Sequence, residues 1–289
     1  MTTIAFLGLG VMGDPMAGHL AAAGHDVIVY NRTISKAEKW AERHKGKVAA
    51  SPEEAVLGAE FVCCCVGRDE DVRSVTVGKG GAFYAMAQNA VFVDHTKTSA
   101  SLARDLYRSA LEQHFHYLDA PVSGGQAGAE KGQLTIMSGG DQTAFDRVQS
   151  ILNAYGRKVS YIGEAGSGQL AKMVNQICIA GIIQGLSEGL SFAAKAGLDI
   201  ENVIAAVSEG AAQSWQMNNR WQSMAEGRFD FGFAIDWMRK DLGYCLDEAD
   251  RNGASLPVTA LVDQFYKELQ QKGDGRLDTS SLIKRLQSA

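Results

Sequence analysis

One lysine in the second half of the chain lies in a stretch that is otherwise almost entirely apolar. Within "GEAGSGQLAKMVNQ", Lys172, Asn175 and Gln176 are spaced i, i+3 and i+4, which places them on one face of a helix. A lysine in such surroundings either extends its ammonium group to water or faces a polar cavity. The first case predicts an ordinary lysine near a helix start. The second predicts an acid–base lysine whose pKa is lowered by burial and which two amides hold in place.

Glycines near the N-terminus form the pattern G-x-G-x-x-G. The segment consists of Gly8, Leu9, Gly10, Val11, Met12 and Gly13, and it lies between a strand-like run and a helical pattern. The first glycine permits a tight turn, the second the approach of a pyrophosphate, and the third close packing of helix on strand. N–H groups at the helix start bind the phosphate. This context favours a dinucleotide site over a glycine-rich turn without a ligand.

The end of the next strand-like run, "HDVIVYN", indicates which dinucleotide is bound. An NAD-selective site usually has Asp or Glu here, about twenty residues downstream, to bind the ribose 2′-hydroxyl. This chain has Asn31, Arg32 and Thr33 instead. Hydrogen-bonding groups and a guanidinium suit a 2′-phosphate, so the sequence predicts NADP in preference to NAD.

A third segment, "LDAPVSGGQAGAEKG", offers a site for a small carboxylate. We expect Asp119 to Val122 to end a strand and Ser123, Gly124 and Gly125 to follow as an exposed turn. Successive backbone N–H groups in such a turn form a concave anion site, and the serine hydroxyl adds a donor. A merely tight loop is the alternative.

Composition and charge restrict the class of protein. The chain has 289 residues, of which 46% are hydrophobic and 21% charged, and its formal net charge is -5. This profile is typical of a globular protein, and the length favours two domains. The negative charge argues against a nucleic-acid partner. We find no charged-then-apolar leader and no apolar run near the ~20 residues that span a bilayer, so we expect a cytoplasmic protein without membrane contact.

The five cysteines are expected to be buried, reduced thiols. Cys63, Cys64 and Cys65 are consecutive in a strand-like run, where neighbours point to opposite faces, so they predict no metal cluster. Cys178 and Cys245 lie apart from each other in apolar surroundings.

Strand-like runs and helical patterns alternate in the first half of the chain. The helical patterns cover 11–23, 34–44, 51–58, 69–76, 99–113 and 141–154. This alternation predicts a mainly parallel sheet with helices on both faces. After Gly163 the strands stop and helices follow, the first a long one that starts near 167 and is apolar on nearly all sides. The expected domains are therefore 1–163, which binds the dinucleotide, and 164–289, which is all helical.

Four motifs, in order and spacing, resemble the β-hydroxyacid dehydrogenase family: "FLGLGVMGDPMAGHL", "DAPVSGG", "GSGQLAKMVNQ" and "FAIDWMRKDL". Members include 3-hydroxyisobutyrate dehydrogenases, tartronate semialdehyde reductases and succinic semialdehyde/glyoxylate reductases. The resemblance covers essentially the whole chain. It implies an N-terminal Rossmann domain, an all-α C-terminal domain like that of 6-phosphogluconate dehydrogenases, and a homodimer or homotetramer. The implied reaction is the NAD(P)-dependent interconversion of a small β-hydroxy acid and its semialdehyde.

The resemblance also implies roles for individual residues. Lys172 matches the catalytic lysine and Asn175 its amide partner, while Ser123, Gly124 and Gly125 match the loop that binds the substrate carboxylate. Val66 and Gly67 match the strand end under the cofactor, and Lys240 matches a lysine that reaches the nicotinamide side.

The chain departs from the family beside the nicotinamide, where members usually have small hydroxyl residues. The run "DHTKTS" places Lys97 there, with Thr96 and Thr98 flanking it and expected to point elsewhere. Lys97 either gives a substrate anion a second cation or crowds the site, and the sequence leaves both open.

Two other functions compete with this one. Imine reductases share the fold but generally carry another residue in place of the lysine, so Lys172 counts against imine reduction. A non-catalytic nucleotide-binding protein would have lost Lys172 or a glycine of the pattern, and the chain retains them all.

Overall fold

The computed structural model describes residues 1–287. The chain divides into two compact units, one covering Met1–Lys172 and the other starting at Met173. The division falls inside a long helix that begins at Ser167, whereas the sequence places the domain boundary at Gly163.

The first unit is built on one nine-stranded sheet. Its strands are β1 (Thr3–Leu7), β2 (Asp26–Tyr30), β3 (Lys47–Val48), β4 (Phe61–Cys64), β5 (Val91–Asp94), β6 (His116–Asp119), β7 (Val122–Ser123), β8 (Leu134–Gly140) and β9 (Gly156–Gly163). Six of them are parallel and lie in the order β3-β2-β1-β4-β5-β6, that of a Rossmann fold. Beyond them, β8 runs antiparallel to β6 and β7, and β9 pairs with β8 in parallel.

Helices cover both faces of this sheet. They are α1 (Gly13–Ala22), α2 (Ile34–His44), α3 (Pro52–Ala55), α4 (Asp69–Thr76), α5 (Ala100–Glu112), α6 (Gly125–Glu130) and α7 (Gln142–Leu152). Alternate residues of the central strands point into two separate apolar cores, as Ile4 and Ala5 of β1 do. Because the strands from β3 to β6 are parallel, their carboxyl ends lie at one edge of the sheet, where α/β proteins bind their ligands.

The rest of the chain is helical. Its helices are α8 (Ser167–Lys195), α9 (Ile200–Val207), α10 (Trp215–Ala225), α11 (Ile235–Asn252), α12 (Pro257–Gln271) and α13 (Lys284–Gln287). Two apolar clusters fill the second unit, one of them around Met238 and Tyr266. The fold is therefore a Rossmann domain followed by an all-helical region, which confirms the predicted class.

The elements that were not predicted include three short ones in the first unit. Strand β3, strand β7 and helix α6 have two, two and six residues, too few to show a hydrophobic period. The run "HYLDAPV" was expected to be one strand, but it forms β6 and the start of β7, which pairs with β8.

Helix α8 is, within residues 1–287, the element long and apolar enough to cross a membrane. This finding corrects the expectation that no apolar run approaches ~20 residues. The same length and composition also suit the core helix of a globular domain, and this helix carries Lys172, Asn175 and Gln176.

The cysteines only partly match the expectation of buried thiols. Cys63 and Cys64 are buried on opposite faces of β4 and Cys245 is buried, but Cys65 is half-buried and Cys178 is exposed. Cys178 lies on the face of α8 that one chain leaves uncovered, so its apolar neighbours in sequence do not bury it. In the described part of the chain no group of three or more His, Cys, Asp or Glu residues is placed to hold a metal ion.

Candidate dinucleotide and catalytic site

The glycine pattern forms the turn between β1 and α1. Gly8 has φ +98°, and a Cβ there would collide with the carbonyl of Cys65 and the side chain of Val66. A Cβ at Gly13 would collide with the carbonyl oxygen of Gly8, whereas one at Gly10 would meet no atom within 4 Å. The first and third glycines are therefore required by the protein's own packing, and the second faces open space where a ligand can approach.

Asn31 holds this turn in place. Its Oδ1 accepts a hydrogen bond from the backbone N–H of Leu9 at 3.0 Å, and its Nδ2 donates to the carbonyl of Thr33 at 3.0 Å. Within residues 1–287, the N–H groups of Gly10, Val11 and Met12 donate to no protein acceptor. These donors at a helix start suit the oxygens of a pyrophosphate.

Arg32 extends into solvent beside this turn. Its side chain is 89% exposed, and its Nη1 lies 3.3 Å from Oδ1 of Asp71 on α4. Thr33 is also exposed. A cavity of about 710 Å³ runs from Gly10 and Val11 along α1 and α2, and Lys36 lines it. Sequence reasoning missed Lys36, although it lies only three residues beyond Thr33 in the run "NRTISK".

A partly buried hydrogen bond joins the segments after β4 and β5, and a buried one holds the second segment to the end of β5. The N–H of Val66 donates to Oγ1 of Thr96 at 3.0 Å, and the N–H of Thr96 donates to Oδ1 of Asp94 at 2.9 Å. Burial raises the pKa of Asp94 to about 6. These contacts bring Val66, Gly67 and Thr96 to the same edge of the sheet as the glycine turn. Lys97, the next residue, is half-buried.

Lys172 is buried on α8, with 7% of its surface exposed. A lysine that extended its ammonium group to water would be far more exposed, so the structure disfavours that alternative. The lysine lies one turn after Gln169, whose side chain bonds to the backbone at Thr96 and Thr98.

Polar residues of the second unit form a chain of contacts around Asp241. Nδ2 of Asn175 donates to Oε1 of Gln176 at 2.8 Å, and Nε2 of Gln176 donates to Oδ2 of Asp241 at 2.7 Å. The ammonium of Lys240 lies 3.3 Å from the other carboxylate oxygen of Asp241. It also lies near the aromatic rings of Trp237 and Tyr244, so its position is fixed by charge and by cation–π contacts.

The expected substrate loop has a different local structure from the exposed turn predicted. Ser123 belongs to β7 and pairs with Thr135, Gly124 precedes α6, and Gly125 is the first residue of that helix. Only Gly124 and Gly125 are exposed, while Ser123 is half-buried. The short strand forms because Val122 is buried against β8. Ser123 continues this strand and therefore does not belong to the predicted loop.

Sequence reasoning also missed His95, which is fully buried between two strand ends. Its Nδ1 lies 2.7 Å from the carbonyl oxygen of Ala120, so this nitrogen carries the hydrogen. Its Nε2 then accepts from the hydroxyl of Tyr155 at 2.8 Å. Burial lowers the pKa of His95 to about 4, which keeps the ring neutral. His95 thereby links the segment after β5 to the one after β6.

Comparison with known proteins covers both halves of the chain. Residues 3–163 match the family profile described as the NAD-binding domain of 6-phosphogluconate dehydrogenase. Residues 166–286 match the profile described as NAD-binding of NADP-dependent 3-hydroxyisobutyrate dehydrogenase. The chain belongs to the β-hydroxyacid dehydrogenase family.

Individual relatives match over nearly the whole length. An uncharacterized oxidoreductase of Shewanella frigidimarina is 57% identical over 100% of this chain and 99% of its own. A probable 3-hydroxyisobutyrate dehydrogenase-like protein of Arabidopsis thaliana is 42% identical over 99% of this chain and 85% of its own. The solved 3-hydroxyisobutyrate dehydrogenase of Mycobacterium tuberculosis, described with L-serine, matches with a TM-score of 0.92 at 31% identity over 99% of both chains.

This membership makes the protein an NAD(P)-dependent oxidoreductase of the hydroxyacid dehydrogenase type. The first unit fits the dinucleotide, because Gly10 faces open space and the N–H groups of Gly10, Val11 and Met12 have no acceptor among the described residues. The residues that would hold it are the glycine turn, the segment 31–33 and the strand ends at Val66 and Thr96.

Proposed function

We propose that this dehydrogenase interconverts a small β-hydroxy acid of the 3-hydroxyisobutyrate type and its semialdehyde, with Lys172 as the general acid and base. The burial of Lys172, one helical turn from a side chain that contacts Thr96 and Thr98, carries the proposal. An ammonium held at this position can stabilise an oxygen that gains negative charge during the reaction.

Each protein group has a defined task in this mechanism. The dinucleotide supplies or accepts a hydride at the substrate carbon when it is bound. During reduction the ammonium of Lys172 donates a proton to the carbonyl oxygen, which becomes the hydroxyl. During oxidation the neutral amine takes that proton back. Asn175, which the contacts of Gln176 and Asp241 hold in place, orients the same oxygen.

The substrate's carboxylate would be bound by the segment Ser123, Gly124 and Gly125. The exposed backbone at Gly124 and Gly125 can donate to a carboxylate oxygen, and the hydroxyl of Ser123 adds a second donor. The structure favours the glycines over the serine in this role, since Ser123 is half-buried in β7.

NADP is the proposed cofactor, with NAD as the weaker one. Asn31 uses its amide oxygen on Leu9 and one of its two amide hydrogens on Thr33, so Arg32 and the hydroxyl of Thr33 are the main groups that could bind a 2′-phosphate. With the cofactor bound, Lys240 would reach the nicotinamide side, as the family resemblance implies. Lys97 would add a positive charge near the substrate. A guanidinium in solvent at this strand end favours the phosphate-bearing cofactor.

The test of the function is the variant Lys172→Ala with a panel of short semialdehyde acids and NADPH. A positioned acid contributes about 10²–10⁴ in rate, so kcat should fall by that factor. The dissociation constant for NADPH, measured by nicotinamide fluorescence, should stay unchanged. Lys195→Ala, at the exposed end of the same helix, is the matched control and should retain full activity. A Lys172→Ala enzyme that kept more than about a tenth of wild-type kcat, with chemistry rate-limiting, would contradict this role.

The same assay, with cyclic imines added to the panel, separates the competing functions. An imine reductase would turn over cyclic imines faster than semialdehydes and would tolerate Lys172→Ala. A non-catalytic nucleotide-binding protein would bind NADPH without turnover of any substrate.

The dehydrogenase is further proposed to be a homodimer or homotetramer assembled through α8. Only 39% of the most apolar 18-residue stretch of this helix is buried within one chain. The exposed side chains Val174, Cys178 and Ile182 follow one another at i, i+4 spacing and form an apolar stripe without a charged residue, while Glu188 lies beyond its C-terminal end. A second copy of the same helix can cover this stripe. Sedimentation at micromolar concentration as a 31.0 kDa species would contradict this assembly.

A further inference from the structure

The first turn of α8 is attached to the end of β6 by a buried carboxylate. Oδ1 of Asp119 accepts the N–H of Gly166 at 2.7 Å, and Oδ2 accepts the N–H of Gln169 at 2.8 Å. These are N–H groups that a helix start cannot satisfy internally. The carboxylate therefore caps α8 and fixes its first turn against the sheet.

The side chain of Gln169 extends this attachment to the segment after β5. It is 1% exposed, its Nε2 donates to the carbonyl of Thr96 at 2.7 Å, and its Oε1 accepts the N–H of Thr98 at 3.2 Å. The two backbone groups fix the orientation of the amide, because a carbonyl requires a donor and an N–H requires an acceptor. Gln169 thus binds the backbone on both sides of Lys97.

The same segment is attached to the strand ends under the cofactor. Thr96, whose carbonyl Gln169 binds, accepts the N–H of Val66 with its hydroxyl. On the helix side, Lys172 lies three residues after Gln169 and therefore on the same face. One amide connects the backbone at Lys97 to the turn that carries Lys172.

We propose that Gln169 is a positioning residue of this dehydrogenase: its amide holds the segment Thr96–Thr98, with Lys97, at a fixed distance from the helical turn of Lys172. The catalytic consequence rests on the proposed function, but the attachment itself does not. An apolar side chain would leave the buried carbonyl of Thr96 and N–H of Thr98 without partners, so the segment would move to find new ones. A displacement of about 1 Å between catalytic groups can cost about a hundredfold in rate.

The attachment can be tested without substrate or cofactor by amide hydrogen exchange in the free protein. In Gln169→Leu the N–H of Thr98 loses its acceptor, and a hydrogen bond of about 1–1.5 kcal/mol corresponds to roughly tenfold faster exchange. Gln184→Leu, which removes another largely buried glutamine of α8, is the matched control and should leave Thr98 protected. Unchanged protection of Thr98 in Gln169→Leu would overturn the proposal.

The catalytic consequence is tested by kcat across pH in three proteins. Gln169→Leu should lower kcat about ten- to a hundredfold, with KM and the dissociation constant for NADPH nearly unchanged. In Gln169→Glu the carboxylate can accept from Thr98 but cannot donate to Thr96, whereas the protonated acid can do both. The kcat of Gln169→Glu relative to wild type should therefore rise as pH falls, while the ratio for Gln169→Leu stays constant.

The ratios of variant kcat to wild-type kcat separate the effect of residue 169 from that of its titratable neighbours. Asp94, Lys97, Asp119 and Lys172 are present in all three proteins and Gln169→Leu lacks the new carboxyl group, so a pH dependence found in Gln169→Glu alone comes from the introduced carboxyl group. The melting temperature of each variant shows whether it folds. A variant that failed to fold would have a lower kcat at every pH. A flat ratio for a folded Gln169→Glu, or wild-type kcat in Gln169→Leu, would overturn the positioning role. If the wild-type protein reduces no semialdehyde, the proposed function fails and hydrogen exchange alone decides whether Gln169 holds the segment.

Discussion

Replacing Arg32 with alanine should selectively weaken the binding of NADPH. Arg32 directly follows the strand end where the adenosine ribose is expected, and its side chain is 89% exposed. Its ion-pair partner among the described residues is Asp71, at 3.3 Å. NADH has no 2′-phosphate, so its binding should be nearly unaffected by the change.

The size of the effect follows from two opposing contributions. A hydrogen bond to a charged group contributes about 1.5–3 kcal/mol. The exposed ion pair with Asp71, which the arginine must release to bind the phosphate, contributes about 0.2–1 kcal/mol. The difference is about 0.5–2.8 kcal/mol, which corresponds to a loss of roughly 2- to 100-fold in NADPH affinity. Because both partners are exposed, the effect should shrink at high ionic strength.

Asp71→Asn is the matched control, since it releases Arg32 without removing the guanidinium. Its affinity for NADPH should rise by a factor of about 1.5 to 5, the equivalent of the released ion pair. NADH affinity should again stay constant. The two variants thus change the ratio of NADPH affinity to NADH affinity in opposite directions, and both do so through the contact between Arg32 and Asp71.

The assay is a side-by-side fluorescence titration of both cofactors with wild-type protein and the two variants, at low and high salt. If the ratio of NADPH affinity to NADH affinity were the same in Arg32→Ala as in wild type, Arg32 would not bind the 2′-phosphate. A wild-type preference for NADH would show that Arg32 points away from the cofactor and that Asn31 alone binds the ribose.

Three further predictions concern the buried polar groups and the substrate segment. Ser123→Ala should raise KM for the semialdehyde less than about tenfold, with kcat unchanged in steady-state kinetics, because the half-buried hydroxyl adds only one of several donors. Burial raises the pKa of Asp119 from 3.8 to about 7, so the folded protein retains a proton that the unfolded chain releases. The free energy of unfolding should therefore fall, by at most about 4 kcal/mol from this group, as pH rises from about 4 to about 7, and urea titrations of Asp119→Asn should show a flatter dependence. Burial lowers the pKa of His95 from 6.5 to about 4, so its contribution has the opposite sign: stability is lost as pH falls through this window. Urea titrations at pH 7 and near pH 4.5 should show wild type losing more stability than His95→Asn, and equal losses would contradict the burial of a neutral ring.

Much of the fold follows from local sequence patterns. The alternation of strand-like and helical runs identified the parallel sheet, because each period is set by backbone geometry within a few residues. The glycine pattern likewise determined its own turn, since the collisions that Gly8 and Gly13 avoid involve neighbouring segments of the same motif and the strand beside it. The spacing of Lys172 and Asn175 placed them on one helix face.

Only the tertiary structure decided which groups these residues contact. Asn31 was predicted to donate to a phosphate, and the structure adds that its amide oxygen accepts from Leu9, a contact across 22 positions of the chain. Ser123 was predicted in an exposed turn, but pairing with β8 makes it part of a strand. His95 and Gln169 carried no local signal, because their partners are backbone groups 25 and 73 positions away that the crossings of the sheet bring together. The sequence by itself determined the elements and the residue types of the chemistry, since these depend on short-range geometry. Long-range packing decided which buried polar groups hold those residues in place. A backbone carbonyl or N–H has the same chemistry at every position, so only the fold selects its partner.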